Sequence, residues 1–587
     1  MVTYPTVWGG SAAARKGQGP AGGCSGHLFA FSGLDGPTNE ENPFIGIARD
    51  NSSLSLLFCN LLIPRILLVR GAGLREKTRV AASDVVLAGP TDGSGPQLQM
   101  AWSDRYLLAG EASHGAGVYL MGDMPVPSAP NCTHVSGAQA VVLCSRSLPD
   151  GGRVAWGLAM GITLAEAVSR AMAAACSGPQ CLVQLPALIK ARLAPFDGLP
   201  TVKTYGPLLA KALSVMRVNS LSPEGKIRQR WSTPDRVPHQ WMWLWDSCYH
   251  SLAANHLDPA LGWDYIHAVL AAASPDGAVA IERTPTSAGQ SVKQTQPPLL
   301  TWAVHTNWKA SIAAGVDNAT ISSRLAYALP RLGAYLQWDI VNRADPTGRC
   351  ALLRWTHGTE SGMDNSPRFD HGVSDMLAVD FSVFLAREAK LLAEIATEVG
   401  NATAAAHWAT VAKNVSQQVH AMMWNETAGL YFDRNASSGQ LSGVVASTAL
   451  LPLWLDDLPP DRLPRLLAAL KDPKSFGTAV PIPSVGRAMP SFGTDMWRGP
   501  MWVNSNYMVS LALGARGAKA EAAALMRATL DAMQAAYLRY GVIFEFYDAD
   551  GKADPRTLMR KGEPTGGVRD YHWSAALAYD AIMRLAR

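Results

Sequence analysis

SDMLAVDFSVFLAREAKLLAEIATEV, residues 374–399, places apolar side chains at Leu377, Phe381, Phe384, Leu385, Leu391 and Leu392. This i, i+3, i+4 spacing is the stripe of a one-sided helix that must bury one face against another element. Working outward, the spacing recurs from about Lys203 to the end. Helix-like segments cover roughly 203–220, 243–256, 260–273, 298–315, 319–341 and 374–399, then 401–424, 442–455, 460–471, 500–514, 517–538 and 571–585. Twelve helices joined by alternately short and long loops suit a toroid of six helical hairpins. The expected fold of 203–587 is therefore an all-α (α/α)6 toroid, with its longer loops gathered at one end of the ring.

Toward the N-terminus the period changes. Short strand-like runs such as Leu54 to Phe58, Arg65 to Val69, Val85 to Leu87 and Ala140 to Cys144 alternate with Gly, Pro, Asn and Ser breaks. Such spacing predicts an antiparallel β-sandwich over 28–185. Residues 1–27, rich in Gly, Ala and Ser, read as a flexible segment. Thr163 to Ala175 looks helical, and a Pro-containing linker over 186–202 leads into the toroid. A chain of 587 residues is long enough for this multidomain arrangement.

Composition narrows the function. A formal charge of +4, with no concentrated basic face, makes nucleic acid a poor partner. The stretch Leu54 to Val69 is interrupted by Arg65 and falls short of a span of about 20 apolar residues, so no membrane span is expected. Eighteen Trp is high, and flat aromatic walls suit sugar rings. The start, Met1 to Pro5, shows no apolar signal core, so either the protein is intracellular or the chain begins inside a longer precursor. Sequons at Asn51, Asn131, Asn318, Asn401, Asn414, Asn425 and Asn435 favour the secretory pathway, the cytoplasm being the alternative. Cys132 with Cys144, and Cys176 with Cys181, are close enough in sequence to be bridged pairs, and no C-x-x-C pair points to a metal. The Asp548-Ala549-Asp550-Gly551 turn begins like a calcium loop but lacks the third acidic ligand and closing Glu, so it reads as a surface turn. No cofactor is implied, and the oligomeric state is not readable.

Three loops mix carboxylates, aromatics, Gly and Pro where a helical protein needs only turns. They are Trp241 to Ser247, with Trp245 and Asp246; Trp355 to Arg368, with Glu360 and Asp364; and Phe544-Glu545-Phe546-Tyr547. A glycosidase needs two carboxyl groups flanking one glycosidic bond. One donates a proton to the leaving oxygen, and the other activates water or attacks directly. Asp364, near Trp355 and Met363, is a candidate acid if an apolar wall and a nearby anion keep it protonated. Glu360 is that anion, and on chemistry alone an equal rival for the acid role. Glu545, between two aromatic residues, is the second carboxylate. The spacing leaves retention and inversion both open.

At these loops the chain resembles glycoside hydrolase family 63, the processing α-glucosidases and mannosylglycerate hydrolases, which is related to trehalases. The matching stretches, in the family's order, are Trp245-Asp246-Ser247, Gln294-Thr295-Gln296-Pro297-Pro298, Glu360 to Arg368 with its Ser361-Gly362-Met363-Asp364 core, Trp497 to Tyr507, Phe544 to Tyr547, and Tyr571-His572-Trp573-Ser574. The resemblance implies the toroid and hydrolysis with inversion, Asp364 being the general acid and Glu545 the base. It also implies that Asp246, Gln294, Gln296, Trp355, Trp497 and Asn504, together with Trp245 and Glu360, shape the sugar site. Arg498 is also carried among the sugar-site residues, although bracing a carboxylate is the role more expected of both Arg368 and Arg498 than touching substrate. Phe29 to Thr38 is similar to the start of the sandwich in longer bacterial relatives; small mannosylglycerate hydrolases largely lack that domain. The expected substrate is a terminal α-glucoside, with mannosylglycerate or glucosylglycerate as the alternative and a non-catalytic carbohydrate-binding protein as a third. Zinc-dependent and terpene cyclases share helical toroids, but only Cys248 with His250 approaches a zinc pair and no diphosphate-binding acidic cluster is present.

Overall fold

The structure, a computed structural model, describes strands and helices in pieces between His27 and Ala194, then residues 202–586 except 236–238 and 240. The flexible segment expected at 1–27, apart from His27, and most of Phe29 to Thr38 lie outside the described residues.

Two antiparallel sheets form the N-terminal region. The first has five strands in the order His27–Ala30, Ile45–Arg49, Leu54–Phe58, Leu67–Arg70 and Gly117–Leu120. The second has eight, in the order Met124–Val126, Ala129–Val135, Ala140–Ser147, Arg153–Gly161, Leu107–Ser113, Gln97–Asp104, Val85–Ala88 and Arg79–Ala82. Leu54 to Val69 is thus two strands. Cys132 sits directly opposite Cys144 across neighbouring strands, and the two are disulfide-bonded, as are Cys176 and Cys181. Helix α1 (Leu164–Ala174) lies on strand Arg153–Gly161, and its N-terminus is capped by Thr163. The segment read as a plain linker contains α2 (Leu185–Leu193), whose second residue is a proline, tolerated there because a first-turn N–H has no helical partner anyway.

From residue 202 onward the α-helices alternate between two layers. The inner layer is α4 (Leu244–Leu257), α6 (Leu300–Ala313), α8 (Val379–Glu398), a 3-10 helix (Ser447–Trp454), α11 (Val503–Ala515) and α13 (His572–Leu585). Each contacts the next, and α13 returns to contact α4, so the circuit closes. Outside it lie α3 (Val202–Val218), α5 (Pro259–Ala271), α7 (Asn318–Asn342), α9 (Ala402–Met422), α10 (Arg462–Lys471) and α12 (Lys519–Tyr540). Helix α4 has almost no solvent face: Leu244 through Asn255 are all buried. A helix surrounded on all sides needs no polar stripe.

Two helix expectations shift for physical reasons. The eighth segment is a 3-10 turn because Pro452 removes a backbone donor, leaving the Leu455 amide to bond back to the Pro452 carbonyl. The quoted 374–399 helix starts only at Val379, since Met376–Leu377 pair as a short strand with Arg434–Asn435. The Asp433 carboxylate then accepts the Val379 amide and caps the helix start. Similar short strands precede other inner helices: Met242–Trp243 pairs with Glu282–Arg283 before α4, and Met501–Trp502 pairs with Phe546–Tyr547 before α11. These pairings fix the loops at the N-terminal ends of the inner helices. Helix α3 ties the two regions together by packing on strands Arg79–Ala82 and His27–Ala30. Among the described residues no helix is long and apolar enough to cross a membrane.

Candidate active site

A cavity of about 730 Å³ opens over the N-terminal ends of the inner helices. Its volume falls in the range of small-ligand sites. Asp364 and Glu545 both line it, as do Trp245, Asp246, Gln294 and Gln296. Trp243, Trp502, Tyr571 and Trp573 supply the remaining aromatic walls.

The Asp364 loop is set by a tight turn. The 3-10 helix Gly358–Ser361 ends at Gly362, which adopts φ +70°, and the Ser361 hydroxyl accepts the Met363 amide. A Cβ on Gly362 would meet Trp245 Cζ2 at 2.4 Å, so glycine is what lets this loop close onto the tryptophan. Downstream, the buried Arg368 pairs with both Asp380 and Asp433 at 2.7 Å, bracing the loop to α8. Arg498 pairs with Asp370 at 2.5 Å and donates to the Asn365 carbonyl. Both arginines brace carboxylates, and neither is among the residues lining the cavity. The Asp364 carboxylate is 21% exposed and meets Lys561 Nζ at 2.7 Å.

Glu545 is 3% exposed and firmly held. Arg560 reaches it through Nε at 3.2 Å and Nη2 at 3.3 Å, and the Val568 amide donates to Oε2 at 3.1 Å. Burial works against the Arg560 charge, but Glu545, with Tyr571 and Asp364 adding to it, holds the guanidinium above its usual range. Asp246 is buried, and burial pushes its carboxyl up to about 8, against the pull of His239 and the Tyr571 hydroxyl at 3.4 Å. The two candidate carboxylates thus have unlike surroundings, one beside a half-exposed lysine and one locked by a partly buried arginine.

Five expected site residues stand away from the cavity. Glu360 is fully buried outside it: Arg343 holds it through two nitrogens, and the amides of Thr295 and Thr356 donate to it. It ties three segments together, and the charged group that Asp364 meets is the Lys561 ammonium, a cation where an anion was expected. Trp355 is buried, stacked on Phe381 with centroids 3.9 Å apart, and donates to Asp380. Trp497 stacks at 3.7 Å on Trp502, so it backs a wall it does not form. Asn504 is fully buried at the start of α11, its side-chain oxygen on the Ser505 amide. Arg498 is the fifth. Conversely, His239, Trp243, Arg560 and Lys561 line the cavity without having been singled out. Tyr571 and Trp573 lay inside a recognised motif. Arg560 and Lys561 sit in a polar, Gly- and Pro-containing loop that reads as an ordinary turn. The Asp548 turn is self-satisfied, its carboxylate accepting the amides of Asp550, Lys552 and Ala553.

With this geometry in view, residues 238–574 match the family model for mannosylglycerate hydrolase MGH1-like glycoside hydrolase domains. The chain belongs to this glycoside hydrolase family. It is 24% identical over 439 residues to the mannosylglycerate hydrolase of Thermus thermophilus, a match covering 63% of this chain and 99% of that protein. The crystal structure of a family 63 mannosylglycerate hydrolase from Thermus thermophilus in complex with glucose is similar at a TM-score of 0.53 and 25% identity, over 64% of this chain and 99% of that one. A bacterial glucoamylase complexed with acarbose shares the fold over 97% of this chain and 96% of its own, at a TM-score of 0.56 and 11% identity. As a family 63 glycosidase the chain acts on a carbohydrate, and the cavity described above is the site its geometry offers.

Proposed function

We propose that this glycosidase removes a terminal α-linked sugar, an α-glucoside first, with inversion, Asp364 acting as general acid and Glu545 as general base. The observation that carries this reading is that two carboxylates in dissimilar surroundings share one aromatic-walled cavity. In this reading Glu545, fixed by Arg560 and the Val568 amide, aims a water, while Asp364 delivers the proton to the leaving oxygen. The family resemblance supports inversion. The closed circuit of inner helices supports an (α/α)6 toroid, and the two sheets support a β-sandwich before it. Asp364→Asn and Glu545→Gln should each lower turnover by about three orders of magnitude or more while the thermal melt stays in place. Full activity in either variant would refute the assignment.

Hydrolysis of mannosylglycerate or glucosylglycerate is the second reading, favoured by the family model and by the lysines Lys293 and Lys561 on the cavity wall, which suit a glycerate carboxylate. A panel of α-linked disaccharides beside both glycerate glycosides separates the two. Lys561→Ala is expected to lower KM for a neutral glucoside by freeing Asp364 and to raise it for a glycerate glycoside; equal effects on both would exclude a role in choosing substrate. For location, we propose the secretory pathway. Asn131, Asn318, Asn401 and Asn414 are exposed and open to glycosylation, while Asn51 lies outside the described residues.

A further inference from the structure

The cavity edge carries a chain of polar groups that the two-carboxylate account does not use. Asp235, 2% exposed, accepts from the His239 backbone amide through Oδ1 at 3.1 Å and meets His239 Nδ1 through Oδ2 at 2.7 Å. His239 Nε2 lies 3.3 Å from Arg560 Nη2, and the same Nη2 lies 3.3 Å from Glu545 Oε1. The imidazole is held edge-on between Trp243 and Tyr571, with centroid distances of 5.5 and 6.1 Å. The Thr233 hydroxyl lies between the Asp235 and His239 carbonyls, 3.0 and 2.7 Å away, and shares its single proton between them.

The donor inventory dictates the proton positions. A guanidinium can only donate, so His239 Nε2 must present its lone pair to Arg560, and the ring proton must sit on Nδ1 facing Asp235. We propose that Asp235, His239 and Arg560 are a positioning relay for Glu545, working only while His239 is neutral, so that His239 sets the acid limb of the activity profile. Protonating Nε2 places N–H against N–H, and Arg560 loses the acceptor that orients it toward the carboxylate. The inference rests on Glu545 being the base.

The charges around His239 fix the direction. Burial opposes its protonation, Asp235 outweighs burial, Arg560 opposes and Glu545 favours it, leaving the imidazole above its ordinary value. Asp246 at the start of α4 and Glu282 on the strand Glu282–Arg283 also face it, and each feels its charge. A raised imidazole pKa means the relay is intact at high pH and breaks as pH falls through the folded-state value.

Steady-state pH profiles of the full chain on its best α-glycoside test this. His239→Gln keeps an acceptor for Arg560 and cannot titrate. It should retain turnover within about threefold at pH 8 and move the acid limb of kcat down by about one pH unit or more. His239→Leu should lower kcat about 10- to 100-fold on the high-pH plateau, the gap to the unsubstituted protein narrowing below its acid limb, with KM little changed. Asp235→Asn retains the imidazole but removes its anion, so the acid limb should again move down, which covers the case in which His239→Gln does not fold. An acid limb unmoved in Asp235→Asn or in a folded His239→Gln overturns the proposal. So does a His239→Leu defect confined to KM, because that marks a substrate contact. Glu545→Gln separates the two levels: if it is inactive while the acid limb stays unmoved in these variants, the relay fails and the base stands. If Glu545→Gln is active, the base assignment fails.

Discussion

Glu360 and Asp246 are the residues at which burial decides most. Glu360 is surrounded by donors and paired with Arg343, so Glu360→Gln leaves a buried guanidinium without its anion. That should cost about 3–5 kcal/mol of stability in denaturant unfolding, with activity lost only in step with folded protein. A crippled but equally stable Glu360→Gln would return Glu360 to the acid role. Asp246 offers a pH test. Its folded value of about 8 lies above the ordinary 3.8, so between the two the folded state holds a proton that the unfolded state lacks. Its contribution to stability is therefore full below about pH 4 and is lost as pH rises toward 8. Asp246→Asn should match the unsubstituted protein by calorimetry near pH 4 and exceed it near pH 8; the same offset at both values would contradict the burial argument. At this scale Asp364, Glu545, Asp246 and the two glutamines could be placed on the site from sequence because loop chemistry and motif order coincide there. On loop chemistry alone Glu360 could not be separated from Asp364, since its partner Arg343 belongs to another segment. Arg560 and His239 were invisible because each acquires a role only when distant loops meet.

Among the elements, the turn at Gly362 shows how backbone freedom shapes the site. Its φ of +70° is strained for any residue with a Cβ, and the Cβ itself would strike Trp245. Gly362→Ala should cost about 1–2 kcal/mol for the backbone alone and raise KM as Trp245 shifts; an unchanged KM would mean that Trp245 does not contact the sugar. The helices were legible because their stripes are periodic, as in 379–398. Exceptions came where a local chemical rule overrode the stripe: Pro452 turned one inner segment into a 3-10 helix, and strand pairing at Met376–Leu377 delayed another. Fully buried inner helices such as α4 carry weaker stripes, yet their flanking Trp and Asp residues still marked them.

On the scale of the whole molecule, the cavity-lining residues among the described ones fall between His239 and Trp573, while α3 joins the helical layers to the sheets. Removing residues 1–201 strips strands Arg79–Ala82 and His27–Ala30 from α3 and takes away none of the described residues that line the cavity. The truncated chain should melt at a lower temperature yet keep KM when folded. Loss of activity with unchanged helical circular dichroism and melting would instead place the sheets in the substrate site. The sheet region was legible as strands and turns, but its strand order was not, because pairing between segments far apart in sequence leaves no periodic trace. Above all these stands the claim that Asp364 and Glu545 act as acid and base across one bond with a water between. A proton NMR time course of the best α-glycoside, followed through the first turnovers, addresses it most directly. The β-anomer should appear first and mutarotate afterwards; first release of the α-anomer would contradict inversion and, with it, the role assigned to Glu545.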